Sequence, residues 1–257
     1  MQIESLIIEP IPAFEDNYIW ALRADGGVAV VDPGEAAPVE RYLEKVGACL
    51  TAILVTHRHG DHTGGITGLL ARHAVPVYGP AREATEVVTH PCADGDRVAV
   101  LGTEFEVIDV PGHTLGHVAY YARDVGLFCG DVLFGAGCGR VFEGTLDQMY
   151  ASLARLAALP ADTRVYCAHE YTQSCLRFAK AVEPGNAAID ARIAKVAAQR
   201  GAGMPSVPST LAEELATNPF LRWQAPAVIA AAARRLGHAP GDDAATFGAI
   251  RLWRDSI

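Results

Sequence analysis

Thr56-His57-Arg58-His59-Gly60-Asp61-His62 places three imidazoles and a carboxylate within six positions, in a chain with nine histidines in all. The run before it, Cys49-Leu50-Thr51-Ala52-Ile53-Leu54-Val55, is short, apolar and rich in strand formers, so it predicts a buried strand ending near Thr56. Side chains alternate at a strand end, which puts His57 and His59 on one side. Gly60 lets the chain turn tightly enough to bring Asp61 and His62 to a neighbouring point. Four donors this close would crowd one ion, so the spacing predicts two ligands for one site and two for another.

The same arrangement recurs along the chain. A hairpin is expected from Asn17–Leu22 and Val28–Val31 around Gly26-Gly27, then a helix over Val39–Val46, the strand and the histidine loop. A helix over Ile66–His73 and a strand over Val75–Tyr78 follow. Phe105–Val110 alternates and runs into Pro111-Gly112-His113-Thr114; the apolar runs His117–Tyr121 and Leu127–Cys129 run into Gly130-Asp131. A helix over Gln148–Leu159 precedes Val165–Ala168, a last strand delivering His169. Candidate ligands therefore follow four strands, and ligands gathered from several strand ends suit a rigid site.

The donor set is His57, His59, His62, His113 and His169 with Asp61 and Asp131, all nitrogen or oxygen donors that suit zinc, iron(II) or manganese. Seven are too many for one zinc. Two ions account for all of them, with His57, His59 and His113 on one, Asp61, His62 and His169 on the other, and Asp131 between. Such a pair acidifies a shared water and takes up oxyanion charge, which is the chemistry of acyl or phosphoryl hydrolysis. No Gly-x-Ser-x-Gly elbow and no dinucleotide-binding glycine pattern is present.

Half of the 257 residues are hydrophobic and a fifth are charged, as in a soluble domain with ample core. No apolar run approaches a membrane span, and Met1-Gln2-Ile3-Glu4-Ser5 lacks the start of an export leader, so a cytoplasmic location is expected, with no membrane partner. The six cysteines form no Cys-x-x-Cys pair and are expected to be reduced. A net charge of −9 argues against nucleic acid as a partner. From Arg177 onward, however, ten Lys or Arg face seven Asp or Glu, a balance that suits an anionic small molecule or simply solvated helix faces. After His169 alanine becomes frequent, with helices expected over Ile189–Arg200 and Ala227–Leu236 and a loop over Gly201–Pro208. The domains are read as 1–170 and a helical 171–257.

Thr56-His57-Arg58-His59-Gly60-Asp61-His62, Pro111-Gly112-His113-Thr114-Leu115-Gly116-His117, Gly130-Asp131 and the late His169 together resemble the metallo-β-lactamase superfamily. Gly137-Cys138-Gly139-Arg140-Val141-Phe142-Glu143-Gly144-Thr145, Cys167-Ala168-His169-Glu170-Tyr171-Thr172, Glu183-Pro184-Gly185-Asn186 and Asn218-Pro219-Phe220-Leu221-Arg222 resemble, within it, the glyoxalase II (hydroxyacylglutathione hydrolase) family. The resemblance implies an α/β fold, the four-layer αββα sandwich, with a small all-helical C-terminal domain that helps hold glutathione. It implies hydrolysis of S-D-lactoylglutathione to D-lactate and glutathione, by a hydroxide bridging two divalent ions (zinc first, iron or manganese as alternatives) that Asp131 bridges and Asp61 helps to orient. It implies glutathione contacts from Arg140, Phe142, Tyr171, Arg251 and Arg254. A monomer is expected.

The chain departs from the family where Arg140 stands for a common Lys, Phe142 for a common Tyr and Arg254 for a common Lys; charge is kept, but not geometry. His117 is expected behind the ligands rather than on a metal, and Asp32 as a supporting carboxylate. His73, His90 and His238 have no ligand-like context. Two alternatives stay open: a persulfide dioxygenase of the same fold with one iron, and a catalytically silent protein that binds glutathione thioesters.

Overall fold

The computed structural model describes residues 6–83 and 85–256, so the reading of Met1 to Ser5 lies outside the described residues. The chain divides into two compact units, Met1–Asp109 with Leu115–Gly130, and Val110–Thr114 with Asp131–Ile257.

The first unit opens with strands β1 (Ile7–Ala13), β2 (Asn17–Ala24) and β3 (Gly27–Val31). Strand β1 was not anticipated, because Pro10 and Pro12 interrupt its pattern. Two prolines two apart lack their N–H on the same side, which an edge strand tolerates, and among the described residues β1 is the sheet edge, paired with β2. The β2–β3 loop is Asp25-Gly26, both at positive φ (46° and 76°), the two-residue turn that matches strand twist.

Helix α1 (Ala36–Val46) starts earlier than expected because Pro38 is tolerated in a first turn, and it ends at Gly47 in the left-handed region. Strand β4 (Cys49–Leu54) then lies parallel to β3. A single turn, α2 (Gly60–Thr63), carries Asp61 and His62, and α3 (Ile66–Leu70) stops short of the expected His73. Strands β5 (Val77–Pro80) and β6 (His90–Cys92) complete a sheet of order β1-β2-β3-β4-β5-β6, antiparallel through β3 and parallel from β3 onward.

Val39 and Leu43 of α1 and Ile66 and Leu69 of α3 pack on Val28, Val30, Ile53 and Val77 of the sheet. Truncating a residue such as Leu43 to Ala would cost about 2–5 kcal/mol. Strands β7 (Arg97–Val100), β8 (Thr103–Asp109), β9 (Val118–Ala122) and β10 (Gly126–Gly130) form an antiparallel meander. The Tyr120 hydroxyl donates to the Val55 carbonyl (2.9 Å) and Val118 N–H to the Thr56 carbonyl (2.9 Å), tying the meander to the chain that leads into the histidine loop.

The second unit begins with a hairpin of β11 (Leu133–Phe134) and β12 (Gly137–Cys138). Helix α4 (Leu146–Ala157) is started by a capping box between Thr145 and Gln148. Then come β13 (Arg164–Cys167), α5 (Thr172–Val182), α6 (Ala187–Gly201), β14 (Ser209–Thr210) paired with β13, α7 (Leu211–Thr217), α8 (Pro226–Leu236) and α9 (Asp243–Asp255). Helices α5, α7 and α9 were not anticipated.

A buried network fixes the β11–β12 hairpin. Arg192 donates to Glu214 and Thr217 (both 2.6 Å), Glu214 accepts from Ala136 N–H (2.8 Å), and Asn218 donates to the Gly137 carbonyl (2.9 Å). Removing one partner of such a buried pair costs about 3–5 kcal/mol. Arg222 likewise forks onto Glu183 (2.7 and 3.1 Å). Part of the basic excess of the C-terminal third thus serves internal pairing.

Candidate metal centre

In the first unit, the chain leaves β4 and runs through Val55 and Thr56 into the histidine loop. His57 and His62 are buried, His59 and Asp61 partly so. His57 Nε2 faces His59 Nδ1 at 3.0 Å, two ring nitrogens turned to one point as the alternation predicted. His62 Nε2 lies 3.5 Å from Asp61 Oδ2, and Asp61 Oδ2 accepts from the Asn17 amide (3.1 Å).

Supporting groups define which ring nitrogen is offered. Asp32 Oδ1 accepts from Thr56 N–H (2.7 Å); its Oδ2 accepts from the Thr56 hydroxyl (2.7 Å) and faces His62 Nδ1 at 3.0 Å. A carboxylate partner holds the proton on Nδ1 and so offers Nε2 to an ion. His57 Nδ1 lies 3.1 Å from the Thr56 hydroxyl. His117 is buried and stacks on His57 (centroids 4.5 Å apart, 17° between planes). His73 pairs with Glu40, His90 with the Thr89 hydroxyl and His238 with the Ala239 carbonyl.

Glu83 was not singled out from the sequence, yet it organises both ends of this region. It is buried, and its two oxygens accept from Arg58 N–H (2.7 Å), between His57 and His59, and from Gly116 N–H (3.0 Å), beside His117. Its only sequence signal is one acid among thirty. Gly130, at φ +47°, allows close packing: a Cβ there would lie 2.3 Å from the Thr56 hydroxyl oxygen.

In the second unit, Asp131 sits between two imidazoles, His113 Nε2 at 3.4 Å from Oδ2 and His169 Nε2 at 3.4 Å from Oδ1; all three are buried. His113 Nδ1 donates to the Arg140 carbonyl (2.8 Å); a carbonyl only accepts, so this bond fixes the proton on Nδ1 and offers Nε2. Gly139 permits this geometry, since a Cβ would lie 1.8 Å from the Asp131 carbonyl oxygen.

A cavity of about 420 Å³ opens beside these groups in the same unit. It is lined by His113 and Asp131 and by all five residues expected to touch substrate, Arg140, Phe142, Tyr171, Arg251 and Arg254. The Tyr171 ring lies parallel to His169 (4.6 Å, 7°). Phe142 is exposed, with its ring against His113 (5.2 Å) and the Arg140 guanidinium over it (5.8 Å). Arg254 lies over Phe178 (5.7 Å). Arg251 is buried, donating to the Cys138 carbonyl (3.2 Å) and to Asp255, so it does not sit on an open helix face.

Cys138 and Cys175 also line the cavity, and burial pushes both thiols up to about 11. They are therefore protonated at neutral pH and are poor metal donors or nucleophiles. The donor chemistry of the two units is that of a divalent borderline ion: imidazoles with fixed tautomers, and carboxylates. Among the described residues, no helix is long and apolar enough to cross a membrane.

Comparison with known proteins agrees with this donor pattern. The family described as "Metallo-beta-lactamase superfamily" matches residues 14–91 and 93–169, and "Hydroxyacylglutathione hydrolase C-terminus" matches residues 170–257. The hydroxyacylglutathione hydrolase of Cupriavidus taiwanensis is 56% identical over 98% of this chain and 99% of its own, and that of Dechloromonas aromatica 54% over 98% and 100%. Among solved structures, ETHE1 from Myxococcus xanthus superposes with a TM-score of 0.63 at 26% identity, covering 84% of both chains. TTHA1623 in a di-iron-bound form gives 0.53 at 28%, covering 63% of this chain and 91% of its own. The chain belongs to the hydroxyacylglutathione hydrolase family of the metallo-β-lactamase superfamily.

Proposed function

We propose that this protein hydrolyses S-D-lactoylglutathione and related 2-hydroxyacyl thioesters of glutathione to the hydroxy acid and glutathione. The observation that carries the reading is the composition of one cavity: His113 and Asp131 line it together with the cations Arg140 and Arg254 and the aromatics Phe142 and Tyr171. A molecule with a scissile acyl group and remote carboxylates needs both kinds of lining.

From the donor types and their spacing in the sequence, two divalent ions are assigned to His57, His59 and His113 and to Asp61, His62 and His169, with Asp131 shared. When bound, they would supply a nucleophile available at neutral pH and positive charge for the developing oxyanion. Asp61, held by Asn17, orients the attacking water. Arg140 and Arg254 draw in the carboxylates of the glutathionyl group, and Tyr171 and Phe142 cover its apolar stem. The leaving group is a thiolate whose conjugate acid lies near 8.5, so no strong general acid is required. Zinc is the first assignment, with iron or manganese as alternatives; TTHA1623, bearing two irons, supports a paired site. The oxygenase and silent-binder readings are not favoured, since relatives at 50–56% identity over nearly the whole chain are hydrolases by name.

The helical segment 171–257 is assigned to glutathione binding. We infer a cytoplasmic location, with which the six free cysteines are consistent. The monomeric state is a proposal that sedimentation tests directly. Steady-state hydrolysis of S-D-lactoylglutathione, beside a thioester lacking the glutathionyl carboxylates, tests the assignment: strong preference for the former is expected, and equal efficiency would remove it.

A further inference from the structure

Asp255 is the last residue of α9. A carboxylate there faces the negative end of the helix dipole, where a cation is the favoured occupant. The side chain is not idle: its Oδ1 accepts from Arg251, four residues earlier, and lies 3.3 Å from Arg140 Nε. All three line the cavity that holds His113 and Asp131.

The two ion pairs differ in kind. The Arg251 side chain is only 6% exposed and is also fixed by the Cys138 carbonyl, so its link to Asp255 is part of the packed structure. The Arg140 side chain is 57% exposed and that of Asp255 31%, so their link is solvated and exchangeable. An exchangeable carboxylate on a cation that faces the cavity occupies the position a carboxylate of the ligand would take.

We propose that Asp255 is a specificity-determining residue: an internal counter-ion on Arg140 that a substrate carboxylate displaces, with Arg251 holding it in place. This rests on the assignment of the cavity to a glutathionyl group. Asp255 thereby weakens binding of thioesters whose thiol half carries carboxylates, and of glutathione as product, while leaving thioesters of neutral thiols unaffected.

The test is Asp255→Asn, compared with wild type on S-D-lactoylglutathione and on the lactoyl thioester of N-acetylcysteamine, which has no carboxylate. An exposed pair of this kind is worth about 0.2–1 kcal/mol, so KM for the glutathione thioester should fall by a factor of about 1.4 to 5, the change falling on KM rather than kcat. The gain should shrink at high salt and be absent with the neutral thioester. Asp255→Glu, which keeps the charge, should restore wild-type KM. Calorimetric titration with glutathione reads the same shift in Kd whether or not the thioester is turned over, so failure of the functional assignment is distinguishable from failure here. A raised KM in Asp255→Asn, showing the carboxylate engaging the ligand's ammonium, would overturn the proposal, as would an equal change with both thioesters.

Discussion

Asp32→Asn isolates the role of one hydrogen-bond acceptor behind His62. Asp32 lies at φ +54°, a backbone region that Asn tolerates about as well as Asp, so the substitution adds no strain. Three groups use its carboxylate, Thr56 N–H, the Thr56 hydroxyl and His62 Nδ1, and none is exposed. An amide presents one oxygen and one NH2. If the oxygen stays on Thr56 N–H, the NH2 meets His62 Nδ1–H, and the ring must move its proton to Nε2, which then ceases to be a metal donor. If the oxygen turns to His62, two N–H groups oppose each other at Thr56. Either way one buried donor loses its acceptor, at about 1–3 kcal/mol in the metal-free protein. Metal affinity at the His62 site should fall about 10–100-fold. Urea unfolding of the metal-free variant reads the first effect and competition with a chromophoric chelator the second. Two ions held with unchanged affinity in Asp32→Asn would show that this carboxylate does not set the His62 tautomer.

Other consequences follow from the same geometry. Glu83→Gln keeps one acceptor but sets an NH2 against the second backbone N–H, so a loss of about 1–3 kcal/mol on unfolding and reduced metal occupancy by elemental analysis are expected. Arg254→Ala should raise KM for the glutathione thioester several-fold with little change in kcat, read from steady-state kinetics; Arg251→Ala would in addition destabilise the fold, because it strips the donor from the Cys138 carbonyl. Burial raises Cys138 and Cys175 to about 11 and Cys167 to about 12, against an ordinary value near 9. The unfolded chain therefore loses these protons first. Stability conferred by the protonated thiols is complete below pH 9 and declines by about 1.4 kcal/mol per pH unit per thiol as pH rises toward 11, which denaturant midpoints at successive pH values would reveal.

Much of the fold could be read because local pattern and tertiary role agree. The run ending at Leu54 is apolar because it is a buried parallel strand, and Asp25-Gly26 makes the turn its sequence favours. Strand β1 was missed because its prolines obey edge-strand rules that only the sheet reveals. Helix α5 starts unmarked, because Tyr171 at its N-cap makes no side-chain capping bond and no acid stands in its first turn. Helix α9 has a legible N-cap, Asp242, but Gly248 and the surrounding alanines weaken its apolar stripe.

The candidate donors are legible because chemistry requires those residue types at strand ends. Their supports are not. Asp32 was picked out only by its place after a strand; Glu83 and Asp255 carry no motif. Each acts through partners far away in sequence, Gly116 33 residues from Glu83 and Arg140 115 from Asp255. Only the folded chain brings them together.

Hydrolysis of S-D-lactoylglutathione by the purified protein, with metal content determined on the same sample, decides whether this is a paired-metal thioesterase. Turnover with close to two divalent ions per chain is expected, lost on chelation and restored by zinc. A single bound iron, no turnover, and oxygen consumption with glutathione persulfide would contradict it.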